Sequence, residues 1–239
     1  MAFVKHLKQV QVKEWGSDLL SLFYPEACPG CGKTLLKGEK PLCLPCRLHL
    51  PRTNFESLTD HHVSRIFWGR LQVNRAMAYL HFEKHGIVRR LVHSIKYHND
   101  TTLGHWLGRE MGHALKQAGW QVDGILPVPL TPERHKKRGF NQSRCLADGM
   151  AETMMCEIYD GHMQRITGAR SQTRKSRFAR WQNVEDAFVV NDPDPLINKH
   201  ILLVDDVVTT GATLEACGQV LQRIPGCTIS IVTLAFTHQ

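Results

Sequence analysis

The sequence predicts an α/β fold: a mostly parallel sheet with helices between its strands, preceded by a small metal-organised module. Three observations carry this. From residue 76 onward, apolar runs of strand length alternate with stretches in helical register, and strands joined through helices run parallel. One run, residues 201–204 (ILLV), is aliphatic throughout, the pattern of a strand buried on both faces. Four of the eight cysteines stand in two C-x2-C pairs, Cys28/Cys31 and Cys43/Cys46, with eleven residues between them.

The elements follow in order. Residues 1–22 read as an amphipathic helical lead-in. Residues 23–52, rich in Pro, Gly and Cys, form a unit too short for its own apolar core, so a bound ion would have to organise it. Residues 53–74 read as a connector, and the main domain spans about 75–239. Within it, 76–82 alternates loosely like a strand. Residues 87–97 place Ile87, Val88, Leu91, Val92 and Ile95 at helical spacing, and 103–118 repeats that spacing until Gly119 ends it. A short strand at 124–128, a helix at 142–156 and a short strand at 187–190 come next. The buried strand 201–204, a helix at 213–223 and a β-branched strand at 228–235 complete the chain.

Composition removes several classes. With 42% hydrophobic and 22% charged residues over 239 positions, a mainly disordered chain is excluded. No apolar run approaches the ~20 residues a membrane span needs. The first 21 residues carry Lys, Glu, Asp and Trp where a signal peptide needs an unbroken apolar stretch, so a cytoplasmic location is expected. The net charge is +8, and it is unevenly placed: residues 133–180 hold eleven Lys/Arg against five acids, six of the eight excess positive charges. Local basicity of this kind suits an anionic ligand such as phosphate, pyrophosphate or nucleic acid; a solvated face that keeps the chain soluble is the alternative.

The cysteine pairs point to metal. Each C-x2-C knuckle offers two corners of a tetrahedron, so Cys28, Cys31, Cys43 and Cys46 make a closed four-sulfur site, as in structural Zn(2+). An iron–sulfur cluster, or four ordinary reduced cysteines, are the other readings, and His49 lies near enough in sequence to be a ligand. Cys145, Cys156, Cys217 and Cys227, scattered singly, read as small buried hydrophobes.

The most informative segment is 201–213, ILLVDDVVTTGAT. A buried strand ends in Asp205 and Asp206, and a Thr/Gly loop then opens a helix. Unpaired N–H groups and the positive dipole end at a helix start favour phosphate. Gly211 lets the backbone approach closely, and Thr209, Thr210 and Thr213 add hydroxyl donors. Two carboxylates beside such a cradle would repel an anion, so accepting hydrogen bonds from a sugar diol is their natural task. A strand end whose acids cap the helix or face solvent is the plainer reading.

This string resembles the 5-phosphoribosyl-1-pyrophosphate (PRPP) motif of type I phosphoribosyltransferases. Further matches are similar to the ComF/GntX family: ILPVPL at 125–130, RGFNQ at 138–142, Gln172 with Arg177, Asn183, Ala187 and Phe188, and HSIKY at 93–97. The likeness covers roughly residues 23–236. It implies a phosphoribosyltransferase-like domain behind a zinc module that binds Mg(2+) with PRPP. Asp205 and Asp206 become the candidate catalytic pair on the ribose hydroxyls. Thr209, Thr210, Gly211, Ala212 and Thr213 would hold the 5-phosphate, and Arg138 the pyrophosphate, through its bidentate fork. Asn141 suits either a ligand contact or a helix cap, and Lys96 reads as a solvated helix residue. The loop that would hold the pyrophosphate enters the basic stretch 134–138, and the segment 165–180, with Arg174, Lys175 and Arg177, falls where the family's flexible catalytic loop lies; its basic residues suit a leaving pyrophosphate or a nucleic-acid backbone equally. Family members often carry further cysteine pairs, whereas this chain has one set. The family is associated with DNA uptake and the use of DNA as a nutrient. The activity implied is phosphoribosyl transfer to a nitrogen nucleophile. The rival is a DNA-handling protein that binds single-stranded DNA alongside other DNA-uptake proteins, with PRPP as an effector and no turnover. Phe140, Phe178 and Trp181 are the aromatics available to stack bases.

Overall fold

The computed structural model describes residues 25–166 and 187–237. The helical lead-in at 1–22 and the basic residues Arg174, Lys175 and Arg177 lie outside the described residues, as do Phe178 and Trp181. The chain divides into two compact units, Met1–His49 and Leu50–Gln239.

The first unit is built around the cysteines. An antiparallel bridge joins Ala27 to Thr34, and Gly32, in the left-handed region at φ 75°, turns the chain between them. The second knuckle opens helix α1 (Leu44–Leu48). One carboxylate braces this short segment: Glu39 accepts from the N–H groups of Leu36 and Leu44, both at 2.9 Å, and is held below the ordinary carboxylate range by them. Backbone bonds of this kind replace the apolar core that so few residues cannot form.

The second unit holds a five-stranded parallel sheet. Its elements are α2 (His62–Arg65), β1 (Ala76–Phe82), α3 (Ile87–His98), α4 (Thr101–Gln117), β2 (Gly124–Pro127) and α5 (Pro132–Arg138). After these come α6 (Gln142–Met154), β3 (Glu157–Ile158), β4 (Met163–Arg165), β5 (Phe188–Val190), β6 (His200–Val208), α7 (Ala212–Leu221) and β7 (Thr228–Thr237). The sheet order is β1-β7-β6-β2-β3. From residue 76 onward the pattern-derived strands and helices recur, with ends shifted by a few residues. The mostly parallel α/β architecture is therefore as expected.

Three details differ. The strand expected at 201–204 runs on to Val208, because Val207 and Val208 stay in register with Ala235 and Phe236 of β7. Asp205 and Asp206 thus lie within the strand, and not just past its end. The strand expected near 187–190 leaves the main sheet and pairs antiparallel with β4. Residues 53–74 are no plain connector: Val63, Phe67 and Leu71 enter the core, and Thr53 ties its N–H to Tyr79 O (3.0 Å) and its hydroxyl to Ala78 O (2.6 Å). Burying side chains of this size stabilises by about 1.5–3 kcal/mol each, which a mixed polar and aromatic sequence conceals.

Helices α4 and α6 meet at glycines. A Cβ on Gly108 would stand 2.1 Å from Leu146 O, and one on Gly149 2.0 Å from His105 O, so the two backbones approach where no side chain intervenes. Helix α6 in turn covers β6 and β2. The chain moves one way across the sheet from β2 to β3 and the other way from β6 to β7. The order reverses between β2 and β6, the place where open parallel sheets bind ligands at the carboxyl ends of their strands.

Candidate functional site

A cleft of about 430 Å³ opens at that point. The ends of β6 and β2, α3, α5 and the start of α7 form its walls. It gathers Asp205, Asp206, Thr209, Thr213 and Arg138 from the sequence reading, together with Lys96. Of the other loop residues, Thr210 faces a separate cavity beside His62 and Arg70, while Gly211 and Ala212 shape the turn into α7.

The carboxylates are held from different elements. Ser143 Oγ of α6 donates to Asp205 Oδ1 (2.9 Å), and the Asp206 N–H donates to the same oxygen (2.8 Å). Lys96 Nζ of α3 lies 2.7 Å from Asp206 Oδ2. Lys96 is therefore no free surface lysine; the helical period that buries Val92 and Ile95 also aims it over the strand end. Burial, with the Asp206 charge beside it, pushes Asp205 up to about 7, outweighing its two hydrogen bonds and the Lys96 charge. A ligand diol donating to this pair would replace part of the water that burial removes.

The 209–213 loop turns at Gly211, left-handed at φ 77°, where an added Cβ would stand 2.5 Å from Ile66 Cγ2. The first helical bond of α7 is Glu215 N–H to Gly211 O (2.8 Å), so the N–H groups ahead of it point out of the helix end.

Across the cleft lies a set of cations. Arg138, at the end of α5, donates from Nη1 to Gln142 Oε1 (2.8 Å) and lies over the Tyr97 ring at 5.7 Å. Arg134 and Arg165 line the same space. Asn141 takes the cap role: it accepts from Ser143 N–H (3.1 Å) and donates from Nδ2 to Val128 O (3.0 Å), tying the end of β2 to α6. The sequence reading names Arg134 only as the start of the basic stretch 134–138 and Arg165 only as the start of the basic segment 165–180, and it gives Gln142 no site role. Gln142 follows the RGFN run directly and Arg134 sits one helical turn before Arg138, so proximity could have found both. Arg165 ends the three-residue strand β4 and lines the cleft with Arg134 and Arg138.

In the first unit, the four cysteine sulfurs lie within 4.8 Å of one another, and no other cluster of three or more His, Cys, Asp or Glu groups exists among the described residues. Cys31 Sγ and Cys43 Sγ are 3.7 Å apart. Sulfurs at the corners of a tetrahedron with Zn–S bonds of about 2.3 Å would stand ~3.8 Å apart, so the donor set fits that ion. Burial pushes the Cys28 thiol up, but the N–H groups of Cys43, Cys31 and Gly30 outweigh it and hold the thiol down to about 7. His49 directs Nδ1 to Pro45 O (2.8 Å) and stands apart from the cluster.

Comparison with known proteins gives the family. A phosphoribosyl transferase domain model matches residues 145–239. DNA utilization protein YhgH of Escherichia coli (strain K12) is 32% identical over 152 residues, 62% of this chain and 66% of that protein. Competence protein F of Haemophilus influenzae is 26% identical over 56% of this chain and 61% of its own length. The chain belongs to the ComF family of phosphoribosyltransferase-like proteins. Competence protein ComFC of Streptococcus pneumoniae is another relative, 34% identical over 40% of each chain. The match thus spans a little under two thirds of the length of the YhgH relatives. Among solved structures, adenine phosphoribosyltransferase from Thermoanaerobacter pseudethanolicus overlaps 72% of this chain and 98% of its own at 12% identity and a TM-score of 0.39. No helix among the described residues of this ComF-family chain is long and apolar enough to cross a membrane.

The raised Asp205 makes a signed prediction. Its proton is held more tightly in the ligand-free fold than in the unfolded chain, so that stabilisation is full below about pH 4 and lost as pH rises through about 7. Asp205→Asn keeps an acceptor for Ser143 and removes the charge. In thermal melts of the ligand-free protein, the variant gains on the wild type between pH 4 and 8, reaching roughly 1–3 kcal/mol. A difference that does not change with pH contradicts the assignment.

Proposed function

We propose that the cleft binds Mg(2+) with PRPP and transfers the phosphoribosyl group to a nitrogen nucleophile. The observation that supports this most is the meeting, in one cleft, of a carboxylate pair, a helix start and three guanidinium groups. Asp205 and Asp206 accept from the ribose 2- and 3-hydroxyls. Residues 209–213 receive the 5-phosphate, and Arg138 with Arg134 and Arg165 receives the pyrophosphate. The bond from C1 to the pyrophosphate oxygen breaks, and its electron pair leaves with pyrophosphate. The nitrogen lone pair forms the new bond to C1, and the nitrogen gives up a proton. C1 is cationic in the transition state, so the chain contributes mainly by positioning the ribose and by neutralising the departing charge. Magnesium suits this site as an ion bridging ligand oxygens, since it keeps few protein ligands. Replacing both acids, Asp205→Asn with Asp206→Asn, weakens PRPP binding at least a hundredfold in equilibrium dialysis while the melting transition survives. Unchanged affinity overturns the placement of the ribose.

Zinc in the four-cysteine cluster organises the first unit. Elemental analysis is expected to find one zinc per chain, lost in Cys28→Ser/Cys31→Ser. A purified protein that is folded over both units yet metal-free contradicts it.

A role in DNA use follows from the relatives, whose names refer to DNA utilization and competence. One feature favours direct contact with single-stranded DNA: Arg134, Lys136 and Lys137 stand exposed on α5, beside Arg138 and the exposed Tyr97. Each phosphate neutralised releases counterions, so affinity for an oligonucleotide falls steeply with salt. A salt slope near zero removes the DNA contact and leaves PRPP binding untouched.

A further inference from the structure

The loop that would receive the 5-phosphate is braced by a side chain that lines the neighbouring cavity and is absent from the cleft lining. Arg70 follows the short helix α2. Its Nη1 donates to Ile66 O (3.1 Å) and Thr210 O (2.9 Å), and its Nη2 pairs with Glu215 Oε2. Glu215 is buried in the first turn of α7. The chain just before Arg70 closes on the loop as well: Ile66 and Phe67 occupy the space that a side chain at 211 would need.

Two consequences follow. In a trans peptide the carbonyl and the next N–H point opposite ways, so fixing Thr210 O on Arg70 turns the Gly211 N–H away from Arg70. The loop is then held with donors on the side opposite its brace. Glu215 sets the second. Its carboxylate sits at the positive end of α7, where it competes with any phosphate for the same dipole. The Arg70 guanidinium, paired with Glu215 Oε2, cancels that charge. A fork is needed for both tasks, because one planar group must reach a carbonyl and a carboxylate together.

We propose that Arg70 is a positioning residue for phosphate capture: it touches no ligand, holds the 209–211 loop in its accepting shape, and neutralises Glu215. This rests on the reading of that loop as the 5-phosphate site. The test uses two probes on the full chain, ribose 5-phosphate for the loop and inorganic pyrophosphate for the arginine side of the cleft. Arg70→Met is expected to weaken ribose 5-phosphate binding at least tenfold and pyrophosphate binding less than twofold. Arg70→Lys, which keeps the charge but lacks the fork, falls between wild type and Arg70→Met. Adding Glu215→Gln to Arg70→Met recovers threefold or more for ribose 5-phosphate. Equal weakening for both probes marks a merely structural residue and overturns the proposal, as does wild-type affinity in Arg70→Met. A wild-type protein that fails to bind ribose 5-phosphate overturns the phosphate reading of the loop and the role of Arg70 with it.

Discussion

Two carboxylates on consecutive residues of a buried strand repel one another and lose hydration, and much of the second unit answers that cost. Strand β6 runs between β7 and β2 at the middle of the sheet, so Asp205 and Asp206 arrive where the strand order reverses. Asp205 is met by Ser143 from α6 and Asp206 by Lys96 from α3. Helix α6 reaches β6 because it packs on α4 through glycines, and Asn141 fixes its start against the end of β2. The helices that flank the sheet are thus also the ones that hold the acids in place.

The same placement sorts charge across the cleft. The acids lie on β6, the arginines on α5 and β4, and Thr213 of α7 borders the same cleft. Under the proposed function, these groups meet the diol and the two anionic ends of one ligand. The four-cysteine unit solves a different problem, a short segment without a core, and does so by pairing sulfurs and a carboxylate with backbone N–H groups.

Periodicity made the fold legible because the major strands are largely apolar runs and the major helices carry apolar residues at helical spacing. It failed where elements are short or where burial comes from a mixed sequence. Strand β4 has three residues, and the 62–71 segment buries Val63, Phe67 and Leu71 among histidines and arginines. The carboxylates and the loop were legible from local order alone, since strand, acids and glycine turn are contiguous. The contacts of Lys96 and Ser143 were not, because they come from packing between elements distant in the chain. Arg70 stands 140 positions from the carbonyl it holds, a separation that no local pattern encodes.

In the proposed function, one cleft accepts a phosphoribosyl pyrophosphate by its two charged ends and its diol. Calorimetric titration of the purified full chain with PRPP, with and without magnesium, tests it most directly. Saturable binding that strengthens markedly when magnesium is present is the expected result. No heat of binding at millimolar PRPP in either condition would contradict it.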